Sequence, residues 1–164
     1  MSDEKAPTLK QRIEAADERA SRIVEELQNS ALGENEFIDL VHEYVRCKFL
    51  LSPEECSSDD IFTLAEASIE KLLRINDRSV KLAQGSNTCT DQSSTDIKKV
   101  LLSLSLQRAV GVKMTPEESA NLETVTQLAR SLYARRQQQR RKAGDAEKES
   151  DKPDAVAASA KRGR

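Results

Sequence analysis

The side chains able to do covalent or acid–base chemistry in this sequence are few and widely spaced. His42 is the only histidine, so any imidazole base must be that residue. Three cysteines, Cys47, Cys56 and Cys89, make no even disulfide framework, and with His42 they do not follow a structural zinc spacing. A Cys–His nucleophile would need His42 brought against a thiol in three dimensions, and His42 is read instead as a structural residue of its helix. Cys89 lies in a polar loop near a helix start, where a thiolate is favoured, but it is read as an inert free thiol. The five glycines form neither a phosphate loop nor a dinucleotide fingerprint. The hydroxyls that stand out are Ser68, followed by Ile69, and Ser93 and Ser94 ahead of a long apolar run.

Helices must position these groups. Aromatic residues are only 3% of the chain and charged residues 33%, which favours helices packed through Leu, Ile, Val and Ala over a β-sandwich. Thr8 caps a charged helix running to about Ser30, with Leu9, Ile13, Ala16, Ala20, Ile23, Val24 and Leu27 on its apolar side. Gly33 breaks the chain. Phe37, Leu40, Val41, Tyr44, Val45 and Phe49 then mark a regular amphipathic helix. Ile69 to Leu82 has helical spacing through Leu72, Leu73, Ile75 and Val80, and Gln84 to Ser93 reads as a polar loop.

The run from Ser93 to Tyr133 has the clearest punctuation. Ser94 or Thr95 is the expected N-cap, with Asp96 in the first turn. Ile97, Val100, Leu101 and Leu104 form one apolar stripe, and Leu102, Leu106 and Val110 a second. A helix apolar over so much of its circumference is expected to pack on more than one side, at the centre of the domain. Gly111 closes it. Thr115, Pro116 and Glu118 make a capping box for a short helix, and Leu122, Val125, Leu128, Ala129 and Leu132 continue at helical spacing.

This half of the chain resembles an acyl carrier protein. Gly111-Val112-Lys113-Met114 sits where that family has Gly-Ile-x-Ile, Pro116-Glu117-Glu118 in its acidic turn, and Thr124-Val125 at its Thr-Val step. Upstream, Phe62, Leu64 and Ser68-Ile69 are similar to the motif in which a Ser takes a phosphopantetheine arm, with Ala65 in place of the Gly and Ala67 in place of the Asp. Read backwards from Gly111, the modified position falls on Asp96 instead, which cannot carry a phosphodiester. The two registers imply an extra helix and loop inserted before the central helix.

The resemblance implies an all-α, acyl-carrier-like helical bundle with an extra N-terminal helix and an inserted helix. Residues 1–33 are the charged N-terminal helix, 34–135 the bundle, and 136–164 a basic, disordered tail, with disorder expected from Gly144. The function implied is a specialised acyl or aminoacyl carrier, not an enzyme. It would hold a thioester on 4'-phosphopantetheine at Ser68, with Ser94 as the second candidate, and present itself to a phosphopantetheinyl transferase and to pathway enzymes. Lys98, Lys99 and Arg108 on the central helix call for partners that are acidic or apolar there. The other reading is a non-enzymatic helical adaptor, or a degenerate and unmodified carrier relative, acting through protein–protein contact. The run from Ala134 to Lys142 is basic but has no interleaved aromatics, so it is read as a solvated helix end, not a nucleic-acid site. No signal peptide or spanning apolar run is visible, so a soluble cytoplasmic protein is expected.

Overall fold

The computed structural model describes residues 7–29, 31–77 and 90–150. It is all-helical, in the order α1 (Leu9–Leu27), α2 (Glu34–Lys48), α3 (Ile61–Asp77), α4 (Thr90–Val110), α5 (Pro116–Ala120) and α6 (Val125–Ser150). Ala20, Ile23 and Leu27 of α1 enter the same buried cluster as Phe37 and Val41 of α2, Leu106 of α4 and Leu128 and Leu132 of α6. The N-terminal helix therefore belongs to the bundle core, and Lys48 to Asp17 at 3.0 Å and Arg19 to Glu43 tie its outer face to α2.

Local chemistry explains several of the helix ends. Thr8 and Gln11 cap α1 reciprocally, and Thr115 and Glu118 do the same for α5, with Pro116 at the first turn. α2 ends in a left-handed residue that is not glycine: Leu50 has φ 56. Leu50 N–H donates to Cys47 O and Leu51 N–H to Arg46 O, the paired bonds of a Schellman turn, so the helix end is satisfied at the expense of Leu50's backbone. At the end of α4, Gly111 takes φ 75 without that penalty, and Gly111 and Val112 both donate to Gln107 O.

The segment between α2 and α3 is stitched to the start of α6. Ile61 N–H donates to Glu123 O and Val125 N–H to Asp59 O, each at 2.9 Å, around an antiparallel bridge of Asp60 and Thr124. The Asp59 carboxylate accepts from Thr126 N–H at 3.0 Å, placing a negative charge at the positive end of α6.

Three helix boundaries differ from expectation. α3 begins at Ile61 and not after Ser68, because Asp60 caps it by accepting from Thr63 N–H and Oγ1, both at 2.7 Å. α4 begins at Thr90, so Ser94 and Thr95 lie inside it and Thr95 is buried. α6 runs to Ser150, so the boundary expected at 135 falls within one helix and 144–150 is helical. The Arg, Gln, Lys, Ala and Glu of that stretch are all strong helix formers. The disorder expected for 151–164, the end of the inserted helix, and residues 84–89 of the polar loop, Cys89 included, lie outside the described residues, while 90–93 of that loop are helical.

The face that α4 buries also differs from expectation. It touches every other helix, yet it buries only one side, through Leu102, Leu106 and Ala109. Ile97, Val100, Leu101 and Leu104 are 57%, 56%, 58% and 43% exposed. The stripe expected in the core faces outward because the bundle occupies the opposite side of the helix.

Candidate functional site

Ser68 lies in the body of α3 and is 1% exposed. Its hydroxyl donates to Phe49 O at 2.8 Å and accepts from Lys98 Nζ at 2.9 Å. Both lone-pair and proton capacity are thus engaged in joining α3, α4 and the end of α2. Lys98 also stacks over the Phe49 ring, 5.3 Å from its centroid, and burial pushes its ammonium below the ordinary lysine value. Among the described residues it has no carboxylate partner. A Ser–Lys pair at this distance resembles a nucleophile and its base, but the serine proton is committed to a backbone carbonyl and the hydroxyl is buried. Ser94 is half-buried within α4, away from the helix start. Neither hydroxyl stands at an exposed helix entrance.

His42 and Cys56 do come together, on the wall of one polar depression of about 490 Å³ between α2 and the following loop. His42 Nε2 lies 3.1 Å from Thr126 Oγ1 and 3.3 Å from Asp59 Oδ1, which orients the ring toward the α6 entrance and not toward sulfur. Burial raises the Cys56 thiol above its ordinary value, and does the same to Cys47. A nucleophilic thiol needs the opposite shift. His42 thus serves as a clasp between α2, the loop and α6. Among the described residues no group of three His, Cys, Asp or Glu could hold a metal ion.

The exposed face of α4 is the feature that structural needs leave unexplained. Its four aliphatic residues follow the i, i+3, i+4, i+7 spacing of a docking stripe. At its C-terminal end the stripe runs into a depression of about 440 Å³ lined by Leu104, Val112 and Met114, with Arg108 and Lys113 at the rim. The floor is built from buried polar bonds. Gln107 Oε1 accepts from Met114 N–H at 2.8 Å, its Nε2 donates to Ser103 at 3.1 Å, and Ser103 and Ser119 join hydroxyls. Gln28, the residue capping the end of α1, donates to Ala109 O at 3.2 Å from behind. Leu73, on the helix packed against α4, is also exposed. Sequence periodicity marks the stripe but does not place it in or out of the core, since spacing alone carries no information about which side a neighbour occupies.

The basic run after Tyr133 is partly structural. Arg136 is buried, donates to Asn29 O and lies 5.7 Å over the Phe37 ring, while Arg135 pairs with Glu118. Among the described residues no helix is long and apolar enough to cross a membrane. Compared with family models, curated proteins and solved structures, the chain matches none of them.

Proposed function

We propose that this protein is a non-enzymatic helical adaptor, an unmodified relative of the carrier architecture, that engages a partner protein through the outer face of α4. The observation that carries this reading is the solvent exposure of Ile97, Val100, Leu101 and Leu104 on two successive turns of one helix. Water-facing aliphatic stripes of this kind cost solubility and mark interaction sites. The kinship with carriers is supported by the order of elements: α2, a loop, α4 closed by Gly111, the short α5, and α6 entered at Thr124-Val125. The arm-bearing form of the carrier reading needs an exposed hydroxyl at a helix start. The burial of Ser68 and the position of Ser94 within α4 favour the form without 4'-phosphopantetheine.

Two measurements test this. Incubation with a phosphopantetheinyl transferase and coenzyme A, followed by intact mass, should leave the protein unmodified. An adduct lost in Ser68→Ala or Ser94→Ala would return the function to thioester carriage. A photo-crosslinking residue in place of Leu101, introduced in the protein's own cells, should give a discrete cross-linked protein that the same probe at Glu25 does not. Identical patterns at the two positions would overturn the docking reading.

A further inference from the structure

We infer that the partner segment recognised by α4 is an acidic amphipathic helix, laid along Ile97, Val100, Leu101 and Leu104 with its carboxylates at the Gly111 end. The inference rests on the docking reading above and adds the partner's chemistry. Arg108 and Lys113 are exposed at the rim of the apolar depression and neither pairs with a carboxylate among the described residues. The neighbouring cation, Arg135, is by contrast already neutralised by Glu118. An apolar stripe ending between two cations that have no carboxylate partner among the described residues fits a ligand whose apolar face ends in negative charge. The depression is also preformed, because Gln107 bonds both Ser103 and Met114 and so holds its floor before any partner arrives.

Other occupants fit less well. In a parallel pair of two copies Arg108 would face Arg108. In an antiparallel pair Arg108 would meet the end of the second α4 that carries Asp96, so charge does not exclude that pairing and the area available does. Four aliphatic side chains also fall short of the roughly 800 Å² per partner that a stable dimer buries. A membrane surface would want cations along both flanks and interfacial aromatics, whereas the stripe has no aromatic residue and carries Asp96 near its other end.

The probes are synthetic helical peptides with leucines at i, i+3, i+4 and i+7, ending in three glutamates or in three lysines, titrated into the full chain by fluorescence anisotropy. The glutamate peptide should bind at least about tenfold more tightly than the lysine peptide, and its affinity should fall with salt. Arg108→Glu/Lys113→Glu should reverse that order, and Leu101→Asp should abolish binding of both, with circular dichroism verifying that each variant is folded. Equal binding of the two peptides, lost in Leu101→Asp, would refute the acidic partner while leaving the docking face intact. Binding of neither peptide would also refute it, and cross-linking at Leu101 would still decide whether α4 docks at all. Preferential binding to phosphatidylserine vesicles, concentration-dependent dimerisation lost in Leu101→Asp, or peptide binding only after residues 78–89 are replaced by a Gly-Ser loop would each assign the face to another occupant and overturn the proposal.

Discussion

Lys98 of α4 donates to the hydroxyl of Ser68 on α3 at 2.9 Å, and Ser68 in turn donates a hydrogen bond to the carbonyl of Phe49, the residue capping α2. This relay couples three helices through one serine. It also gives a half-buried ammonium its acceptor and its aromatic cover in one place.

Removing the serine should therefore be expensive. Ser68→Ala strands both the Phe49 carbonyl and the Lys98 ammonium, and should cost about 1–3 kcal/mol in urea melts. Ser68→Ala/Lys98→Met should cost less than the sum of the single changes, because the second substitution removes the charge that the first leaves unpaired. Strict additivity would mean that the two side chains do not interact in solution.

The two sides of α4 should respond oppositely to truncation. Leu106→Ala, in the core, should cost about 2–5 kcal/mol. Leu101→Ala, on the outer face, should change stability by less than about 0.5 kcal/mol. Denaturant midpoints in the reverse order would show the helix rotated by half a turn.

Gly111 has room for a side chain but the wrong backbone for one. A Cβ there meets nothing within 4 Å, yet φ is 75. Gly111→Ala should thus cost about 1–2 kcal/mol through left-handed strain alone. A neutral result would indicate that the end of α4 relaxes to another turn, which amide exchange at Val112 would detect.

Acid should loosen the loop after α2. The hydrogen bond from Lys71, then that from Ser52, lowers the Glu55 carboxyl from 4.5 to about 2. A depressed carboxylate stabilises the fold above its unfolded value, and that contribution fades as pH falls from about 4.5 toward about 2. Glu55 is an exposed residue, so solvent screening should keep the effect below about 1 kcal/mol. Glu55→Gln should flatten the stability profile in that window, and an unchanged slope would locate the acid sensitivity elsewhere.

Where a signal is local, the sequence by itself determined the outcome. The boxes at Thr8 and Thr115, the break at Gly33, the left-handed stop at Gly111 and the core residues Phe37, Val41, Val45, Leu128 and Leu132 all follow from spacing and from residues within one turn. The start of α3 is hidden from spacing because its cap, Asp60, sits in a run of Ser and Asp where several residues offer the same chemistry. Only the tertiary structure decided what is buried when two faces of one helix are equally apolar. On α4, the Leu102 and Leu106 side meets the bundle, and the Ile97 and Leu101 side meets water. The same holds for Ser68, whose neighbours in sequence resemble an attachment motif but whose neighbours in space, Phe49 and Lys98, occupy its hydroxyl. Periodicity counts apolar positions around a helix axis. Which of them lose water depends on where the other helices lie, and that is settled by contacts between residues far apart in the chain.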